Sequence, residues 1–319
     1  KQLPVASTGD IQQPVEPPSR QAGSEGLTSY KPNRVGWTFD DNDVESGYLD
    51  AVISVKYPLF NDGRYHSNSE GYNPNLFLAF TGRFSQYIGT IESSPVVGKQ
   101  FNPKLFSRWW LSDNSSYVDV GFAHESNGQS ISTEESYHSE REKFAESDGD
   151  ADFARNYISR GWDYLSLDWA QSWDFAPGKL DTQVMLMYFL KDGPLQGDAE
   201  EYNEWEGDGV NHRREYDGIS FLGKYNFSKD MCLTNLARGL ELDWEINICL
   251  QELAWQYSTG YDGVFNKSTN RAEFAIEFWN LPVMIWAQTG YNSNLVNYYK
   301  DVNSWGIALE LESGLFLGR

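Results

Sequence analysis

From about Gly47 onward, apolar and polar residues alternate with a period of two. The longest row is Leu240, Leu242, Trp244, Ile246, Ile248 and Leu250, interleaved with Glu241, Asp243, Glu245 and Asn247. Successive side chains of an extended strand point to opposite faces, so one face is wholly apolar and the other carries carboxylates. Similar rows are Ala51–Leu59, Leu76–Phe80, Leu180–Leu190, Ile219–Phe227, Ala272–Phe278, Val283–Ala287 and Trp305–Leu311. Several are about ten residues long, the length a tilted strand needs to cross a bilayer, and Tyr and Trp near their ends suit the membrane interface. Long links at 128–156 and 191–214 alternate with short ones at Asp113–Ser116 and Phe175–Gly178. Long loops at one end and short turns at the other are the habit of outer-membrane barrels. The pattern therefore predicts an all-β chain, a single antiparallel transmembrane β-barrel over 30–319. Residues 1–29 carry Pro, Ser, Gln and Gly without apolar periodicity and are expected to be a flexible arm.

Composition sharpens this picture. Of 319 residues, 15% are aromatic, with 12 Trp, 19 Tyr and 18 Phe, yet the mean hydropathy is -0.57. No window holds the 18 or more apolar residues of a membrane helix. A chain so aromatic and yet so hydrophilic fits a barrel whose outer wall alone is apolar, and also a secreted carbohydrate-binding β-protein. No repeat of 20–50 residues is visible, which weakens propeller and solenoid alternatives. The opening KQLPVASTGD has no apolar leader core and reads as the start of a mature or shortened chain. The net charge of -21 argues against nucleic acid as a partner. Much of the acid lies in Thr133–Asp152 and Asp198–Asp208, read as solvated loops ahead of divalent-cation sites. Cys232 and Cys249 are either one disulfide or two free thiols, and their spacing suits no metal site.

Of the four histidines, His66, His124, His138 and His212, only His124 sits inside an alternating run. Val118, Val120, Phe122, His124 and Ser126 share one face, and Asp119, Gly121, Ala123 and Glu125 share the other. The lipid-facing row thus ends in a histidine and a serine, which is costly unless the position is interfacial or functional. Residues i and i+2 of a strand lie about 7 Å apart on one side, so an imidazole can serve the hydroxyl as a general base. With four histidines and many serines, His-x-Ser alone is a weak motif. The following strand strengthens it, because Asp163 heads a row with Leu165, Leu167 and Trp169 at the same edge. Cross-strand neighbours approach within about 4.5–5.5 Å. That suits an acid that orients the histidine.

The segment HESNGQS at 124–130, followed by SRGWDYL at 159–165, resembles the outer-membrane phospholipase A family. That family's signature reads His-x-Ser-Asn-Gly, then Ser-Arg-x-Trp-Asn. SSP at 93–95, FNPKLF at 101–106 and GYNSNLVNYY at 290–299 add to the likeness, which is spread over about 30–312. The resemblance implies a 12-stranded barrel with its active site on the outer wall, Ser126 as nucleophile and His124 as base. Asp163 stands where the family usually has Asn, so an amide there should retain substantial activity. Gly128 N–H would donate to the oxyanion. A calcium ion would be held by the Ser159 hydroxyl, the Gln129 carbonyl and the carbonyl of Ser93 from a second protomer, an oxygen-only set that suits a hard cation. The expected function is calcium-dependent hydrolysis of phospholipid and lysophospholipid acyl esters in the bacterial outer membrane, in a homodimer, towards the outer leaflet. Two alternatives are a lipid A deacylase, insensitive to EDTA, and a non-enzymatic porin or structural barrel. Three departures stand out: the acidic insertion at 131–156, a C-terminus LESGLFLGR without a final aromatic residue, and no evident equivalent of the family's dimer glutamine.

Overall fold

The computed structural model describes residues 27–41, 47–59, 75–88, 96–111, 115–147, 151–196, 204–206, 211–228, 231–232, 248–279 and 281–312. A two-residue strand, β1 (Thr28–Ser29), precedes twelve longer ones. These are β2 (Asn33–Asp40), β3 (Tyr48–Pro58), β4 (Asn75–Gln86), β5 (Val96–Trp110), β6 (Ser116–Ser126) and β7 (Gly161–Phe175). They continue with β8 (Gly178–Phe189), β9 (Gly218–Asn226), β10 (Ile248–Gly260), β11 (Ser268–Phe278), β12 (Leu281–Gly290) and β13 (Val302–Glu312). Each of the twelve pairs antiparallel with its sequence neighbours, and β13 returns to β2, with Trp305 opposite Phe39. The sheet is a closed 12-stranded barrel, so no ladder is left open to lipid. β1 lies along the end of β3 that β2 does not reach, Thr28 opposite Lys56. Most of the expected flexible arm, 1–26, lies outside the described residues, as does 240–247 of the longest alternating row. Among the described residues no helix is long and apolar enough to cross a membrane.

The two walls of the barrel invert the usual soluble arrangement. On β3, Ile53 is 52% exposed and its neighbour Ser54 is fully buried. Leu78, Leu105, Val120, Leu165, Leu253 and Ile285 repeat the outward pattern around the circumference. An exposed Leu or Ile forgoes about 1.5–3 kcal/mol of burial in water, so a whole ring of them belongs in hydrocarbon. The inner wall is charged and paired. Lys104 Nζ lies 2.6 Å from Asp168, Arg108 binds both oxygens of Asp119 at 2.8 Å, and Arg83 Nε lies 2.9 Å from Asp50. Lys224 pairs with Glu252 across β9 and β10. These paired side chains line the inner wall.

The connections at one mouth form a packed cover. One cluster joins Trp162, Tyr164, Phe189, Tyr216, Leu295 and Tyr298, from β7, β8 and the 190–217 and 291–301 connections. A second joins Ile131, Tyr137, Ala154, Ile158 and Val296. The acidic insertion is not a loop throughout. Glu134–Ser147 is a helix, α1, and Ala151–Tyr157 a 3-10 helix. Thr133 caps α1 by accepting from the Ser136 N–H at 3.2 Å, while only Tyr137 of the helix is buried. Its acidic side chains therefore remain in water, as expected, on a regular scaffold. At the opposite mouth Cys232 and Cys249 are joined by a disulfide.

Candidate active site

Strands β6 and β7 pair residue for residue over Ser116–Ser126 and Gly161–Gln171, which sets His124 directly opposite Asp163 and Ser126 opposite Gly161. His124 Nδ1 is 2.7 Å from Asp163 Oδ1. The outward rows are those read from the sequence: Val120, Leu165, Leu167 and Trp169 are exposed, whereas Asp119, Ala123, Glu125 and Asp168 are buried. Ser126 closes the His124 row at the rim, partly exposed, with no side chain facing it from Gly161. Among the described residues no hydrogen bond joins Ser126 Oγ to the imidazole. Such bonds commonly tighten only when substrate is present. His66 lies outside the described residues, and His138 and His212 sit apart from this edge, on α1 and at a short 3-10 turn.

Asp163 differs from the simple expectation in one respect. It heads a lipid-facing row but is wholly buried. Residues 193–196 of the β8–β9 connection fold over it: Leu195 N–H donates to Asp163 Oδ2 at 2.6 Å, and Asp163 N–H reaches Gln196 Oε1 at 3.4 Å. A charged carboxylate against hydrocarbon is costly, and this cover supplies both shielding and a donor.

The backbone around His124 is also tailored. The β5–β6 ladder is interrupted between Phe101/Ser126 and Lys104/Ala123, where β5 carries Asn102 and Pro103. Proline has no N–H to give to the ladder. The Asn102 amide donates instead, to His124 O at 3.1 Å, and its side chain also bonds the buried Tyr164 hydroxyl at 2.9 Å.

Beyond Ser126, Asn127 turns its buried side chain into a clip between two chain segments. Its Nδ2 donates to Ile158 O at 2.7 Å, and its Oδ1 accepts from Gln129 N–H at 3.2 Å and Arg160 N–H at 2.9 Å. Asn127 thereby ties the segment that carries Gln129 to the one that carries Ser159, two of the expected calcium ligands. Ser159 N–H donates to Ile131 O at 2.7 Å, and the Gln129 side chain reaches Val97 O at 3.1 Å. Neither the Ser159 hydroxyl nor the Gln129 carbonyl makes a hydrogen bond among the described residues. These neutral oxygens fit a hard cation that keeps part of its water shell. Among the described residues no cluster of three His, Cys, Asp or Glu suits a metal. Ser93 lies outside the described residues. Gly128 has φ +58, the left-handed region natural to glycine, and a Cβ there would meet the Phe101 ring at 3.0 Å. Its N–H makes no bond among the described residues.

The molecule is a transmembrane-type β-barrel that holds a serine, a histidine and an aspartate at one rim of its outer wall. Its fold is that of outer membrane phospholipase A, the family indicated by the motifs. The Salmonella typhi outer membrane phospholipase, described as a dimer with bound calcium, matches with a TM-score of 0.59 at 13% identity. That match covers 92% of this chain and 96% of the other. Escherichia coli outer membrane phospholipase A matches with a TM-score of 0.57 at 14% identity, over 90% and 99%. An active-site mutant of the same enzyme gives 0.58 at 13%, over 95% and 94%. No family model matches the sequence, and no curated protein matches it.

Proposed function

We propose that this chain is an outer-membrane phospholipase that hydrolyses acyl ester bonds of phospholipids and lysophospholipids at the rim of its outer wall. Substrate reaches Ser126 laterally from the bilayer, so no cavity within the barrel is required. Ser126 Oγ attacks the acyl carbonyl while His124 Nε2 takes its proton. The same imidazole returns that proton to the departing glycerol oxygen, and a water molecule then releases the fatty acid by the reverse sequence. Asp163 holds the Nδ1–H and stabilises the imidazolium. General-base assistance of this kind is worth about 10²–10⁴ in rate, and one oxyanion donor such as Gly128 N–H about 10²–10³. Ser159, Gln129 and, from a second protomer, Ser93 would hold calcium, which when bound adds positive charge near the developing oxyanion. A homodimer is the corresponding active form.

The observation that carries this reading is the His124–Asp163 pair at 2.7 Å, at the end of a lipid-facing row that also presents Ser126. A purely structural wall gains nothing from a buried carboxylate bonded to imidazole at that depth. The test is fatty-acid release from mixed phospholipids in detergent, with calcium and with EDTA, for the natural chain and Ser126→Ala. The serine variant is expected to fold and to fall to background, and EDTA to abolish activity of the natural chain. Undiminished release by Ser126→Ala would overturn the assignment.

A further inference from the structure

The 190–217 connection meets Asp163 through a tight turn, Gly193–Pro194–Leu195–Gln196, closed by Gln196 N–H donating to Gly193 O at 3.3 Å. Pro194 presets the second position of the turn. The closing bond occupies the Gln196 N–H and leaves that of Leu195 pointing out of the turn, where it donates to Asp163 Oδ2 at 2.6 Å. The other carboxylate oxygen faces His124 Nδ1 at 2.7 Å. With Asp163 wholly buried, both of its oxygens have one fixed partner.

We propose that this turn is a positioning element that selects a carboxylate over an amide at position 163, and thereby fixes which imidazole nitrogen carries the proton. The inference rests on the reading of Ser126, His124 and Asp163 as the catalytic set. For His124 Nε2 to accept the serine proton, Nδ1 must carry a hydrogen. Asp163 then faces two donors, Nδ1–H on one side and Leu195 N–H on the other. A carboxylate accepts from both. An asparagine offers one acceptor and one donor group, and it fails in either orientation. With its oxygen towards His124, its NH₂ meets the backbone N–H of Leu195, and two donors are buried without an acceptor. Flipped, it satisfies Leu195 but donates to Nδ1, so the imidazole proton moves to Nε2 and the base is lost. The flipped form leaves only one amide hydrogen without a partner, against two opposed donor groups in the other orientation, and is therefore the one adopted. The backbone N–H cannot change its role as a side chain could, which makes the turn the discriminating part. The amide tolerance expected from the family motif does not extend to this chain while the turn is docked.

Gly193 provides the means of testing this. Its φ lies outside the left-handed region, so alanine is permitted by the backbone, but a Cβ would sit 2.6 Å from Asp163 Cγ and closer still to its Oδ2. Gly193→Ala must therefore push the turn away from Asp163. The experiment is a double-mutant cycle of Asp163→Asn and Gly193→Ala in the full chain, in detergent with calcium. Fatty-acid release is read together with the ¹⁵N resonances of His124. Asp163→Asn is expected to lose on the order of 10³–10⁴ in rate, the size of a wrong-tautomer defect in a serine–histidine–aspartate set. Gly193→Ala alone should lose about tenfold, through one bond to the charged carboxylate. The double variant should exceed Asp163→Asn by tenfold or more, so that the same alanine harms one background and helps the other. The resonances should place the proton on Nδ1 in the natural chain, on Nε2 in Asp163→Asn, and again on Nδ1 in the double variant. Pro194→Gly, which loosens the turn without touching Asp163, should reproduce the reversal if alanine disturbs folding. Near-natural activity of Asp163→Asn, or a double variant no better than Asp163→Asn alone, would overturn the inference. Ser126→Ala run in parallel separates the two failures: a serine variant that still hydrolyses lipid removes the proposed function itself, whereas a wrong sign in the cycle removes only the role of the turn.

Discussion

Asn127 lies directly after the proposed nucleophile, and Asn127→Ala tests whether its clip supports the calcium site. The side chain is 1% exposed and makes three hydrogen bonds to backbone groups of two segments, 129 and 158–160. Each is worth about 1 kcal/mol net, and more if its partner stays buried and unpaired. Alanine therefore removes about 3 kcal/mol from the junction between the Gln129 segment and the Ile158–Arg160 segment. The barrel is closed by twelve antiparallel pairings elsewhere, so the loss falls on this junction and not on the fold. At 1.4 kcal/mol per factor of ten, restoring the junction on binding weakens calcium by about 10²-fold.

The assay is the calcium concentration for half-maximal fatty-acid release, with barrel folding followed by circular dichroism. An unchanged calcium requirement in Asn127→Ala, with the barrel folded, would refute the reasoning.

Three further outcomes follow from the walls and the far mouth. Lys104→Met strands the buried Asp168 carboxylate, now 2.6 Å from Nζ, and should cost about 3–5 kcal/mol in guanidinium unfolding. A second change, Asp168→Leu, should recover most of that loss. In planar bilayers the chain should show no steady conductance, because long paired side chains, Lys104–Asp168 reaching from β5 to β7 and Arg34–Glu273 from β2 to β11, occupy its interior; porin-sized currents would contradict this. Replacing Cys232 and Cys249 together by alanine should lower stability by about 3 kcal/mol, the loop-closure value for a separation of 17, and leave hydrolysis intact.

The barrel was legible because lipid replaces water outside it. Most strands then carry an outward row that is mainly apolar, and the register of β6 on β7 follows from keeping both rows on one wall. That same constraint brought His124 and Asp163 into apposition across a connection of more than thirty residues. Helix α1 was not legible, since EESYHSEREKFAES buries only Tyr137 and has no apolar stripe. It is held by the Thr133 cap and by the Phe144 ring against Phe153 and Tyr157. Pro103 argued locally against a central strand, and only the break in the ladder at His124 explains its tolerance. The Gly193-Pro194 turn lies in what the sequence shows only as a long link at 191–214, and nothing local indicates that it docks on a residue thirty positions earlier.

That docking explains how one rim serves two incompatible surroundings. A hydroxyl and a neutral imidazole can face the acyl region at modest cost, whereas a carboxylate cannot. The chain separates them along a single row. Ser126 and His124 stay partly open to lipid, and Asp163, two positions along the opposing strand from Gly161, is roofed by a backbone turn that gives it a donor and excludes solvent. An aspartate without the roof would sit uncompensated at the membrane edge. A roof of this kind over an asparagine would meet an amide with too many donors. The acid and the turn are therefore one device, and displacing the turn should harm the chain that carries Asp163 and help the one that carries asparagine there.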